Sequence, residues 1–155
     1  MELVEILAAD AVLDCTGVGS KRQLLEVMCD KASVTTGMSG ADILAAVIGR
    51  EELGSTGIGN GIAIPHGKLA GLKNVTAVFA RLDEPIEFDA VDDQPVDLVI
   101  LLLAPVGAGA DHLKALSRVA RLLRTDSVVE SLRRAEDSTD LYDVLTRPIE
   151  GINAA

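Results

Sequence analysis

Val96-Asp-Leu-Val-Ile-Leu-Leu-Leu-Ala104 is the most apolar run in the chain. It is about half the length of a membrane span and contains Asp97, so it predicts a buried strand rather than a crossing helix. A strand with one wet face alternates polar and apolar residues. A continuous apolar run fits a strand covered on both faces. Moving toward the N-terminus, Asp92-Asp93 reads as a polar turn, Pro85 to Phe88 as a short extended piece and Val75 to Leu82 as a strand. Ser39-x-x-Asp42 opens a helix carrying Ile43, Leu44, Val47 and Ile48 at helical spacing, with its end near Leu53-Gly54. Ser20-x-x-Gln23 fits a capping box, followed by Leu24, Leu25, Met28 and Ala32 on one face. Ala11 to Cys15 is a short apolar run and predicts a strand. Toward the C-terminus, Pro105 to Ala110 is a small-residue loop. Asp111 is placed to cap a helix with Leu113, Leu116, Ala120 and Leu123 inward. Short helices follow around Val128 to Arg134 and Thr139 to Leu145. The expected class is α/β: a mixed β-sheet of about four to five strands with helices on both faces, in a single domain of residues 1–155.

Composition bounds the function. The chain has 155 residues, is 48% hydrophobic and only 2% aromatic, so the core is built from Val, Ile, Leu and Ala. At this length roughly 70% of the unfolded surface can be buried without a disulfide or metal. The formal net charge of -10 argues against nucleic acid and against insertion into or binding of anionic membranes. An acidic surface suits a basic protein partner. Cys15 and Cys29 form no C-x-x-C pair and read as thiols in a reducing cytosol. The start, MELVEILAAD, lacks a basic region and is not expected to be a secretory signal. The expected location is cytoplasmic. Cys15, Cys29, His66 and His112 match no zinc-ligand spacing, so no metal and no cofactor are expected.

Chemistry concentrates between Gly54 and Lys68. Gly54, Gly57, Gly59 and Gly61 let the backbone approach a ligand, and exposed N–H groups in such loops make anion sites. Ser55 and Thr56 add hydroxyls. Ile62-Ala-Ile-Pro-His66-Gly67-Lys68 reads as a short strand stopped by Pro65, delivering His66. Imidazole titrates near neutral pH, and Lys68 adds positive charge. A Walker A loop would need G-x-x-x-x-G-K-[ST]; here one residue too many separates Gly61 from Gly67, and Leu69 follows the lysine. A dinucleotide fingerprint fails because Gly61 comes too early after Gly57 and Gly59.

As one string, Arg50-Glu-Glu-Leu-Gly54-Ser-Thr-Gly-Ile-Gly-Asn-Gly-Ile-Ala-Ile-Pro-His66-Gly-Lys68 resembles the active-site signature of the fructose/mannitol/nitrogen-regulatory IIA family of the bacterial phosphotransferase system. Pro85 to Leu98 and His112 to Leu123 resemble later blocks of that family, so the likeness spans about residues 5–147. The resemblance implies a mixed sheet with helices on both faces. It implies a phosphoryl group taken from a small phosphohistidine protein of the HPr type, in a relay that begins with phosphoenolpyruvate.

The resemblance assigns the phosphoryl acceptor to His66, acting through Nε2, and adds His112 and Arg50 to the site. Ser55, Thr56, Gly57, Gly59 and Lys68 are the expected phosphate contacts. Phosphoryl transfer asks a protein mainly for positioning and charge stabilisation. Arg50 offers a planar, always charged fork to two oxygens. His112 is expected in the first turn of a helix, where the dipole favours an anion and disfavours a second cation. The blocks after residue 85 favour the regulatory branch. There, phosphorylation state controls target proteins, kinases or potassium transport systems among them. The alternative is a sugar-transport IIA that passes phosphate to a IIB domain.

Overall fold

The computed structural model describes residues 2–147; residues 148–155 of the expected domain lie outside that range. The elements run α1 (Leu3–Ile6), β1 (Leu7–Cys15), α2 (Lys21–Thr36), α3 (Gly40–Glu52), β2 (Gly57–Gly59), β3 (Ile62–Ala63), β4 (His66–Leu69), β5 (Thr76–Ile86), β6 (Val96–Pro105), α4 (Gly109–Leu123), α5 (Asp126–Arg134) and α6 (Ser138–Thr146). The class is α/β, as the sequence implies.

One sheet holds all six strands, in the order β1-β5-β6-β3-β2, with β4 also paired to β6. It is mixed. β5 and β6 run antiparallel, while β1 lies parallel to β5 and both β3 and β4 lie parallel to β6. β6 is the apolar run, and Leu98 through Ala104 are fully buried. Its two faces are covered by two groups of helices. α2 and α3 pack on each other and on β5 and β4. α4, α5 and α6 pack in sequence, reaching β6 and β1.

Local chemistry explains the element ends. The Ser20 hydroxyl accepts from the Gln23 amide, and the Gln23 side chain accepts from the Gly19 amide at 3.0 Å. α2 stops at Gly37, whose φ of 75° is the left-handed conformation that glycine favours. The Ser39 hydroxyl caps α3 through the Asp42 amide. Pro65 stops β3 and separates it from β4, so the expected single strand is two short ones on the same neighbour.

Several expectations shift. β1 starts at Leu7, ahead of the apolar run, and α1 carries too short a pattern to announce itself. The piece at Pro85 is the irregular end of β5, where the register shifts between Arg81 and Ile86; a proline is tolerated at such a break. Asn60 (φ 58°) and Gly61 (φ 81°) form a two-residue turn joining β2 to β3. Positive φ at both positions is the type I′ pattern for which Asn-Gly is selected. The glycine stretch therefore includes a hairpin.

The phase of α4 also corrects the expectation. His112, Ala115, Val119, Leu122 and Leu123 face inward, while Leu113 is 67% exposed. The stripe is rotated by one residue because a histidine occupies its first position and hides its apolar character. The helix begins at Gly109 with Ala108 in the cap position, so Asp111 does not cap it.

Candidate functional site

His66 opens β4 opposite Leu102 of β6. The following residue, Gly67, turns its α-carbon against α3: a side-chain carbon there would meet Ala46 and Val47 at 3.4 Å. Side chains alternate along a strand, so His66 and Lys68 face away from α3 on the other side. His112 comes to meet His66 there, with ring centroids 5.5 Å apart and planes inclined by 53°.

The ring of His66 is held at both nitrogens. Nδ1 lies 3.0 Å from the Ile64 carbonyl. A carbonyl only accepts, so Nδ1 carries the proton and Nε2 keeps a lone pair. Arg50 Nε–H donates to that Nε2 at 3.2 Å. Arg50 stands in the last turn of α3, and its Nη1 donates to the Gly54 carbonyl at 2.8 Å. The sequence pair of histidine and arginine thus converges in space on one ring nitrogen.

His112 lies in the first turn of α4 and is only 5% exposed. Its Nδ1 is buried without a hydrogen-bond partner. Burial first, then the neighbouring His66 and Lys68, hold its pKa below the ordinary histidine value. A neutral imidazole that donates is thereby favoured over a second cation. Lys68 is exposed and adds positive charge near His112.

The glycine stretch carries contacts of its own. The Ser55 hydroxyl donates to the Phe88 carbonyl at 2.7 Å and accepts from the Gly57 amide at 3.1 Å. The Thr56 hydroxyl donates to Glu51, and its amide donates to the other Glu51 oxygen at 3.2 Å. Each hydroxyl has one hydrogen, and both are already used. Gly57 lies so close to Ala90 that a side-chain carbon would stand 2.9 Å from its α-carbon, and Gly59 faces Asp92. Ser55 and Thr56 thus direct their hydroxyl hydrogens to groups of the protein itself, while Gly57 and Gly59 pack closely against Ala90 and Asp92.

Comparison with known proteins places this geometry in context. The family model described as "Phosphoenolpyruvate-dependent sugar phosphotransferase system, EIIA 2" matches residues 5–147. The chain belongs to this type-2 EIIA family. A nitrogen regulatory protein of Bradyrhizobium diazoefficiens is 48% identical over 148 residues, covering 96% of this chain and 97% of its own. The crystal structure of nitrogen regulatory protein IIA-Ntr from Neisseria meningitidis superposes with a TM-score of 0.86 at 40% identity, covering 92% of this chain and 97% of that one. A fructose-specific EIIA component of Haloferax volcanii is 38% identical over 135 residues, covering 87% of this chain and 86% of its own. EIIA components are proteins of the phosphotransferase type.

In this EIIA chain one buried carboxylate beside the glycine stretch escaped the sequence reading. Glu51 pairs with Lys21 Nζ at 2.9 Å, its side chain only 5% exposed, while also receiving both donors of Thr56. Its partners come from α2 and from the loop, so no local motif signals it. Asp92 is an exposed turn residue. It accepts the Asn60 and Gln94 amides, which hold its pKa below the usual carboxylate range. Among the described residues, no three His, Cys, Asp or Glu side chains gather as metal ligands, and no helix is long and apolar enough to cross a membrane.

Proposed function

We propose that this EIIA chain is a regulatory phosphocarrier that takes a phosphoryl group on Nε2 of His66 from an HPr-type phosphohistidine protein. The observation that carries the reading is the pinned tautomer: Nδ1–H on the Ile64 carbonyl, and the Nε2 lone pair directed at a guanidinium.

The step is an in-line displacement. The donor's N–P bond breaks and its imidazole leaves with the bonding pair. The Nε2 lone pair of His66 forms the new N–P bond. Nδ1 keeps its proton, and its bond to the Ile64 carbonyl strengthens as positive charge develops on the ring. Arg50 turns from the nitrogen to the phosphoryl oxygens, where its planar fork matches two of them. His112, held below its ordinary pKa, stands beside His66 with ring centroids 5.5 Å apart. The first turn of α4 presents amides without a side-chain cap, which favours an anion. Leu53 (84% exposed) and Leu113 (67%) lie close in sequence to Arg50 and His112 and are available to a protein partner.

The phosphate adds about -1.5 to -2 charges at neutral pH, enough to change which partners this surface accepts. The reading as a regulator follows the nitrogen regulatory relatives. The second reading, a transporter IIA, is favoured by the fructose-specific relative. Labelling the chain from an HPr-type donor and then adding fructose- or mannitol-type IIB domains separates the two. A regulator keeps its phosphate when IIB is added; rapid transfer to IIB establishes the transporter reading.

A further inference from the structure

We propose that Glu51 is a positioning residue for phosphoryl transfer. It holds His66 and Arg50 in register through Thr56 without touching the phosphoryl group. The inference rests on the phosphocarrier reading above.

Hydrogen bonds around the site form a closed path. The Glu51 carboxylate receives the amide and hydroxyl of Thr56. The Thr56 carbonyl accepts the Ile64 amide at 3.0 Å. The Ile64 carbonyl accepts Nδ1–H of His66, and Nε2 of His66 accepts from Arg50. Arg50 in turn donates to the Gly54 carbonyl, and the Gly54 amide donates to the Glu51 carbonyl at 3.1 Å, which closes the path. The carboxylate therefore governs two things at once. By drawing Thr56 back onto the end of α3 it fixes the carbonyl that orients Arg50. Through the same residue it fixes Ile64, whose carbonyl selects the tautomer of His66.

A carboxylate suits this point. The two Thr56 donors and the Lys21 ammonium converge on its two oxygens. Glutamine has one oxygen and no charge: with that oxygen on the Thr56 amide and Lys21, its NH2 would turn the Thr56 hydroxyl from donor to acceptor, and the Lys21 ammonium would lose its counter-charge. Aspartate is shorter by one methylene. Lys21 offsets the burial of the charge, donates to the Phe88 carbonyl at 3.3 Å and lies 4.4 Å from the Phe88 ring centre. The start of α2, the end of α3 and the segment at Phe88 are thus tied to one side chain.

The test is Glu51→Gln in the full chain, read in two ways. Nitrogen-15 NMR of the imidazole rings reports the tautomer of bare His66 and needs no phosphorylation. Transfer from an HPr-type phosphohistidine donor is split into kcat and KM. Glu51→Gln is expected to lower kcat about tenfold or more, as small misplacements of reacting groups do, with KM for the donor little changed. The Nε2–H tautomer appears beside the Nδ1–H form. Thr56→Ser keeps wild-type behaviour and Thr56→Val reproduces the loss; this second pair carries the test if Glu51→Gln does not fold. Folded variants with wild-type tautomer and kcat overturn the proposal, as does a rise in KM at constant kcat, which would place Glu51 in donor docking. If the wild-type chain accepts no phosphate, the phosphocarrier reading fails. The tautomer then decides alone whether Glu51 positions His66.

Discussion

Nε of Arg50 donates to Nε2 of His66 across 3.2 Å, so in the bare protein the guanidinium occupies the lone pair that attacks phosphorus in the proposed carrier step. The contact orients the His66 ring at rest and, on the proposed function, opens for transfer. Arg50 keeps a second anchor, the Gly54 carbonyl, about which the guanidinium can swing from nitrogen to oxygen. A charged group that already stands at the reacting centre needs little reorganisation, which is where such sites gain most.

Arg50→Ala is accordingly expected to slow phosphorylation of His66 about 10²-fold, the loss typical of removing one preorganised donor to a developing oxyanion. Arg50→Lys recovers little of it, because an ammonium is a point charge without the planar fork. Rates of label transfer from a phosphorylated HPr-type donor measure both. Full activity in Arg50→Lys would show that charge alone suffices.

His112 links the site to pH. Burial and the neighbouring His66 and Lys68 lower its pKa in the folded chain. The unfolded chain then binds that proton more readily than the folded one. The stability contributed by neutral His112 is complete above the unfolded value of about 6.5 and is lost as pH falls through it toward the lower folded value. Urea unfolding between pH 5 and 8 is expected to show the advantage of wild type over His112→Gln shrinking below about pH 6.5. Lys68→Ala, by removing a positive neighbour, moves the folded pKa upward and weakens that pH dependence. A difference that is flat with pH contradicts the linkage.

Gly57→Ala separates packing from ligand approach. The new methyl carbon would stand 2.8 Å from the Ala90 side chain and 2.9 Å from its α-carbon. Backbone must move, and a cost of about 1–3 kcal/mol is expected from overpacking. Chemical denaturation measures it. The expected result is a large loss of stability with label transfer preserved below the unfolding transition. Unchanged stability with abolished transfer would return Gly57 to a phosphate-contact role.

Parts of this molecule are legible in sequence because their signals are local. Val96 to Ala104 announces a strand buried on both faces by being apolar without interruption. Ser20 and Ser39 announce their helices through caps that reach only three residues ahead. His66 and Arg50 stand in one string with a recognisable signature. The misread features depend on direction or distance. In α4 the inward stripe starts on a polar residue, so Leu113 looked internal although it faces solvent. Asn60-Gly61 carried a hairpin signal, but the surrounding glycines suggested an anion loop. The hydroxyls of Ser55 and Thr56 were visible as donors, while their direction was not. It is set by the Phe88 carbonyl and by Glu51, whose own partner Lys21 lies on another helix. Burial of Cys29 pushes its thiol up to about 12, in keeping with a packing role for that residue.

The decisive measurement is the intact mass of the chain after incubation with phosphoenolpyruvate, the first enzyme of the relay and an HPr-type carrier, beside a His66→Ala variant. The expected result is the gain of one acid-labile phosphate by the wild-type chain and none by the variant. A wild-type chain that stays unmodified while a control IIA is labelled contradicts the carrier function, and equal labelling of the His66→Ala variant contradicts the assignment of the acceptor.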